Sequence, residues 1–140
     1  MVKNRGQVSI EYLIVVSMVV FFVVSMMGVA YYYSNGIKDQ IKLTQLQNFI
    51  NKIITSSETV FYSGEPSKVT INAYLPSGVE KMETYQNQKG IYVEIRTSSG
   101  LNKMFFNSNV KIEIGEITKT EGLKRISIVA KEDKVQMEQV

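Results

Sequence analysis

The feature that most constrains this chain is a long apolar run without charged residues near its start. From Tyr12 to Tyr33 the sequence contains no Asp, Glu, Lys or Arg. A membrane-spanning helix needs about 18 to 20 such residues, so the run is long enough to cross a bilayer. Its valines disfavour a helix in water, but backbone groups in hydrocarbon must bond within their own helix. The run therefore predicts an apolar helix over residues 8–33.

Composition narrows the function of the rest of the chain. The 140 residues include no cysteine and no histidine, which removes disulfides, the usual zinc ligands and the usual acid–base residue. No paired Asp/Glu spacing, glycine-rich phosphate loop or serine elbow is present. The net charge of +3 comes largely from Lys3 and Arg5, and no basic patch indicates nucleic acid binding. We therefore expect no enzyme, cofactor, metal site or nucleic acid partner.

The basic residues before the apolar run predict its orientation. Lys3 and Arg5 favour a cytoplasmic N-terminus, with the chain after the run outside the membrane. A cleaved secretory signal fits poorly, because its apolar part is only about 7–15 residues long and Tyr31 to Tyr33 occupy the place of a cleavage site. One alternative is an uncleaved signal anchor. The other alternative is cleavage close to the N-terminus, and the residues between Arg5 and Tyr12 decide whether it applies.

Those residues carry a specific pattern. A short basic leader ends in Arg5-Gly6, and the matching positions that follow are Gln7, Ser9, Glu11 and Tyr12. The pattern resembles the class III signal peptide of archaeal type IV pilins, in which a leader ending in Gly precedes Gln-x-Ser-x-Glu-(Tyr/Phe) and an apolar helix. The resemblance is confined to the start of the chain, and the second half carries no family signature.

The resemblance implies both processing and assembly. A class III prepilin peptidase would cut between Gly6 and Gln7 and remove residues 1–6, since a glycine lets the backbone lie close to the protease. The cut creates an α-amino group, and the amine of a neighbouring subunit placed against Glu11 would compensate two charges that are each costly to desolvate. The implied roles are assembly and register for Gln7 and Glu11, recognition for Ser9 and Tyr12, and leader charge for Lys3 and Arg5.

Beyond the apolar run, the periodicity predicts an α+β fold. After a break or kink at Ser34-Asn35-Gly36, residues 37–55 are expected to complete the long helix 7–55 as an amphipathic half. Ile37 and Ile41 lie on a separate side and face either neighbouring helices or the core. The apolar positions of the main stripe are Leu43, Leu46, Ile50, Ile53 and Ile54, with Phe49 at the margin. Residues 56–140 change to period 2 and predict a β-rich exterior head, a small antiparallel sheet or sandwich.

The predicted strands lie between turns rich in Gly, Ser, Asn and Pro. The clearest cover residues 68–75, 91–96, 110–114 and 125–130, and weaker ones cover 79–85 and 101–106. The stretch from Lys131 to Val140 fits either an edge strand or a tail. Four tyrosines fit either a surface patch for carbohydrate or mineral, or packing across strands: Tyr62, Tyr74, Tyr85 and Tyr92.

The resemblance implies a structural subunit of an archaeal adhesion pilus. Such a subunit begins as a membrane precursor and becomes part of a helical homopolymer on the cell surface, built by an assembly ATPase and a membrane platform. Three alternatives remain. An archaellin-type motility subunit typically lacks the Gln-x-Ser-x-Glu start, a single-pass membrane-anchored extracellular binding module would keep its leader, and a membrane-bound enzyme would need an acid–base cluster.

Overall fold

The computed structural model describes residues 5–85 and 87–140 and contains one long helix followed by seven strands. Contacts divide the chain into two compact units, Met1–Lys38 and Asp39–Val140. The helix α1 runs through both. The elements are α1 Arg5–Tyr62, β1 Lys68–Leu75, β2 Val79–Thr84, β3 Gly90–Thr97, β4 Gly100–Asn107, β5 Ile112–Ile114, β6 Gly122–Ala130 and β7 Val135–Gln139.

The helix differs from the sequence prediction at two places. It passes through Ser34-Asn35-Gly36 without interruption, because a single glycine costs only about 1 kcal/mol and helix propagates readily on both sides. It also ends at Tyr62 rather than near Thr55. The added turns bury Ser57 and Val60, so packing against the head extends the helix beyond its weakly helical Ser and Thr residues.

The strands of the second unit form two sheets. The larger sheet has the order β1-β6-β7-β5 and the smaller has the order β2-β3-β4. All neighbouring strands are antiparallel except β5 and β7, which are parallel. The predicted α+β fold, a long N-terminal helix packed on small antiparallel sheets, is confirmed.

The helix contributes one stripe of apolar side chains to the core of the second unit. Leu46, Ile50 and Ile53 are fully buried, and Phe49 is as deep as they are rather than at the margin. Ile37 and Ile41 are exposed by 58% and 51%, so neither belongs to this core. The stripe forms one cluster with apolar residues of both sheets, among them Ile71, Leu75, Ile91, Val93, Ile95, Ile112, Ile126, Ile128, Val135 and Met137.

The C-terminal strand β7 occupies an inner position, which the sequence left undecided. It pairs with β6 on one side and β5 on the other. Val135 and Met137 are fully buried, whereas Gln136 and Glu138 between and beside them are exposed. The alternation is that of a half-buried strand, although it covers only five residues.

Substitution of Met137 tests the importance of this strand. We expect Met137→Ala to lower the free energy of unfolding by about 2–4 kcal/mol, because it leaves a cavity in a fully buried site. Gln136→Ala, the exposed neighbour, should change it by less than about 0.5 kcal/mol. Urea unfolding of the full chain in detergent, followed by tyrosine fluorescence, measures both; equal effects would contradict the inner placement of β7.

Candidate functional site

The first candidate site is the surface of α1 between Ser9 and Tyr33, which we call the apolar segment. Every residue of the segment is exposed, including Phe21, Phe22 and Met26 at 57% or more. Within the described residues, α1 is the one helix long and apolar enough to cross a membrane. Apolar residues lie on all sides of the segment, which is the pattern of a helix surrounded by lipid or by other apolar helices.

The few polar side chains of the apolar segment are compatible with that environment. The hydroxyl of Ser17 donates to the carbonyl oxygen of Leu13 at 2.7 Å, and that of Ser25 donates to Phe21 at 2.8 Å. These bonds to the preceding turn satisfy the hydroxyl protons without water. The serines therefore place no unsatisfied donor in an apolar surrounding.

Glu11 is the exception in the segment. Its side chain is exposed, and it follows Gln7 by four residues, which is about 6 Å along the helix axis. Ser9 and Tyr12, the other residues of the motif after Gln7, are also exposed. A carboxylate at this depth in an apolar surface needs a cation or a donor once water is removed.

The leader residues are described only in part. Lys3 lies outside the described residues. Arg5, Gly6 and Gln7 belong to the first turns of α1, so the predicted processing site is helical in the intact chain. The predicted site residues between Arg5 and Tyr12 thus lie next to one another along one helix and are not brought together by tertiary folding.

A second feature, which the sequence pattern did not indicate, fastens α1 to the β3–β4 turn. The carboxylate of Asp39 accepts hydrogen bonds from the backbone N–H of Ser98, at 3.0 Å, and from the Ser98 hydroxyl. These bonds hold the pKa of Asp39 below its ordinary value of 3.8. Asp39 is the first residue of the second unit, so the fastening lies where that unit begins.

Two further contacts fix the same helix to the β4–β5 turn and to strand β1. Oε1 of Glu58 accepts from the backbone N–H of Asn109 at 3.1 Å and from its side-chain amide at 2.9 Å. The ammonium of Lys52 donates to the carbonyl oxygen of Asn72 at 2.8 Å. Asp39 and Glu58 are about 28 Å apart along the helix, so the polar contacts bracket the buried stripe.

The predicted tyrosine patch is assembled only in part. Tyr85 and Tyr92 both contact Phe105, with ring centroids 5.5 Å and 4.9 Å apart. Tyr74 lies on the larger sheet and donates to Glu121 at 2.6 Å, and Tyr62 ends α1. The hydrogen bond to Glu94 raises the pKa of Tyr92 to about 12. Phe105, 63% exposed, was missed because strand 101–106 had only a weak pattern.

A charged cleft of about 660 Å³ lies beside β5 and the β6–β7 turn. Four of its seven charged side chains form two ion pairs: Lys111 pairs with Asp133, and Lys134 pairs with Glu113 at 2.9 Å. Within the described residues, no group of three or more acidic side chains could hold a metal ion.

We compared the chain with known proteins by sequence and by structure. No known protein family, curated protein or solved structure matches this chain.

The Asp39–Ser98 contact predicts a dependence of stability on pH. Because the fold lowers the pKa of Asp39, the ionised form is favoured in the folded state. Its contribution is complete above about pH 4 and is lost as pH falls through the folded pKa. Asp39→Asn should therefore flatten the fall of the unfolding temperature with acid below about pH 4.

Thermal unfolding of the full chain in detergent, at a series of acidic pH values, measures this difference. Glu116→Gln, at an exposed position between β5 and β6, serves as the matched removal of one carboxylate. The assignment is wrong if the Asp39 and Glu116 variants follow the same curve.

Proposed function

We propose that this chain is the structural subunit of an archaeal type IV-like adhesion pilus. In this proposal, prepilin peptidase cuts between Gly6 and Gln7, and the mature subunit polymerises through its apolar segment into a helical filament. The precursor lies in the cell membrane with its N-terminus cytoplasmic and its head outside, and the polymer extends from the cell surface. An assembly ATPase and a membrane platform are the expected partners.

The observation that carries the proposal is the form of the apolar segment. It is apolar on all sides and exposed throughout, and it continues into a helical part of which one stripe is buried in a β head. A surface of this kind can exchange lipid for identical helices without exposing new apolar area to water. The exposed Met18, Met26 and Met27 can adapt to either surrounding.

The chemistry of Glu11 supports polymerisation over permanent anchoring. After cleavage, Gln7 would carry a free ammonium one helical turn before the carboxylate of Glu11. In an apolar filament core each charge costs several kcal/mol unless it is paired. A neighbour in the correct register pairs the amine with Glu11, and a neighbour in the wrong register leaves both charges unpaired. The pair therefore selects register more than it adds stability.

Removal of the carboxylate tests the assembly role. We expect Glu11→Gln to abolish or strongly reduce filaments on cells while the processed subunit accumulates in the membrane. Glu116→Gln, which removes a carboxylate from the head, should leave the filament yield unchanged. Electron microscopy of cells and sheared fractions counts the filaments; an unchanged yield for Glu11→Gln would refute the role.

N-terminal sequencing of the membrane and surface fractions tests the processing. The proposal expects Gln7 as the first residue, and Gly6→Val should leave a longer precursor that migrates more slowly on a gel, because a side chain obstructs close approach to the protease. Met1 or Val2 as the first residue of the wild-type chain would instead identify a permanently anchored binding module, the alternative that the same apolar helix also allows.

A further inference from the structure

The strand β4 is the least protected sheet edge of the head. The edges of the larger sheet are β1 and β5, and those of the smaller sheet are β2 and β4. Lys52 covers a carbonyl of β1, β5 has three residues, and β2 contains a register shift between Val79 and Lys81. Short, bulged or covered edges resist pairing with another chain. β4 has eight residues, no proline and no register shift.

The turn that joins β3 to β4 determines which backbone groups of β4 remain open. Thr97 pairs with Gly100 across a two-residue loop, so this pair exchanges hydrogen bonds, and bonded pairs then alternate along the strands. The bond from the N–H of Ser108 to the carbonyl of Lys89 fits the same alternation. The residues whose N–H and C=O point away from β3 are therefore Leu101, Lys103, Phe105 and Asn107.

The side chains of these same residues face solvent. Leu101 is 42% exposed and Phe105 is 63% exposed, and Lys103 and Asn107 are also exposed. Among residues 5–85 and 87–140, side-chain hydrogen bonds reach the side chains of Asn102 and Asn107 and groups at or beyond the ends of β4. None of them reaches an open backbone group of the strand. An extended strand can therefore reach the edge.

We propose that β4 pairs with β4 of a second copy of this chain, antiparallel and centred on Met104. Directly opposite residues of an antiparallel pair share a face. If the twofold axis passed between two residues, odd-numbered positions of one copy would lie opposite even-numbered positions of the other, and the solvent face of one strand would join the core face of the other. Only registers whose twofold axis passes through a residue therefore continue the sheet. Of these, the register centred on Met104 alone pairs all the open residues, giving about eight backbone hydrogen bonds.

Side-chain charges favour the same register. It places Lys103 of one copy directly opposite Phe105 of the other, twice by symmetry, within reach of a cation–π contact. A register centred on Lys103 would instead place two ammonium groups opposite each other, which is destabilising. The strand is thus complementary to itself, which commits the edge to a second copy of this chain rather than to an unrelated peptide.

This contact is distinct from polymerisation. A twofold contact closes on itself, whereas a helical filament grows through head-to-tail contacts. The pairing would therefore join heads of two subunits that are not successive in one filament. Because the pairing involves the head alone, its failure and the failure of the proposed pilus function can be observed separately.

Engineered cysteines in the full chain, purified in detergent, test the pairing. The sequence has no cysteine, so each introduced thiol is unique. The proposed register places Leu101 opposite Asn107 of the other copy, with Cα atoms about 5.5 Å apart, within disulfide range. Mixing Leu101→Cys with Asn107→Cys should give a disulfide-linked dimer under mild oxidation. Leu101→Cys alone should give no disulfide-linked dimer, since the Leu101 positions of the two copies would lie about 20 Å apart, and the same holds for Asn107→Cys alone.

A control pair uses Thr70→Cys on β1 with Leu101→Cys, which should give no dimer above background. Equal dimer in this control, dimer from single variants alone, or no dimer in the Leu101–Asn107 mixture would each overturn the proposal. Since the experiment is done in detergent, it requires neither cleavage nor filaments.

A second variant separates pairing from folding. Phe105→Lys, added to both cysteine variants, places like charges opposite each other twice and should reduce the dimer at least about tenfold. Because Phe105 is 63% exposed on an edge strand, the variant should stay folded, with an unfolding temperature lowered only by the loss of its contacts with Tyr85 and Tyr92. Tyr62→Lys, at another exposed aromatic residue, should leave the dimer unchanged; the same loss in both variants would refute the role of β4.

Discussion

The head depends on the buried stripe of α1, against which the apolar residues of both sheets pack. Leu46, Ile50 and Ile53 belong to the same apolar cluster as the inner residues of both sheets. The chain has no disulfide, and small domains bury a smaller fraction of their surface than large ones, so the apolar side chains that the helix adds to the core support the head. The helix therefore packs against both sheets at once, and the polar contacts of Asp39 and Glu58 fix its position along them.

Two parts of one helix thus have different surroundings and different residue patterns. From Ser9 to Tyr33 its residues are apolar on every side, whereas from Leu46 onward only one stripe is apolar and the remaining sides are polar. The change in pattern occurs without a break in the helix. The apolar segment and the stripe that packs in the head thus belong to one continuous helix, which is a useful property for a subunit proposed to move from lipid into a filament.

The sequence predicted those parts of the fold that depend on local periodicity. The helical stripe and most strands were found because apolar residues recur at 3.6 or 2 positions, and the α+β fold followed. The end of α1 at Tyr62 and the inner place of β7 depend on contacts far along the chain, where packing overrides weak local preference. The parallel β5–β7 pair was missed for the same reason.

The candidate site divides in the same way. Glu11 and its neighbours form a linear motif, so their arrangement along one helix could be predicted from the sequence. The bonds from Ser98 to Asp39, 59 residues apart, and the contacts of Phe105 with Tyr85 and Tyr92 carry no linear signal. Such pairs become visible only when turns and strands are placed in space.

The position of β7 has a consequence for the order in which the head is made. Within the described residues, β5 has β7 as its only partner in the larger sheet, yet β6 and a turn are synthesised between them. While the chain emerges from the ribosome, β5 must wait without a sheet neighbour, and its apolar residues Ile112 and Ile114 remain uncovered by that sheet. Completion of the larger sheet is thereby delayed until the chain has been synthesised as far as β7.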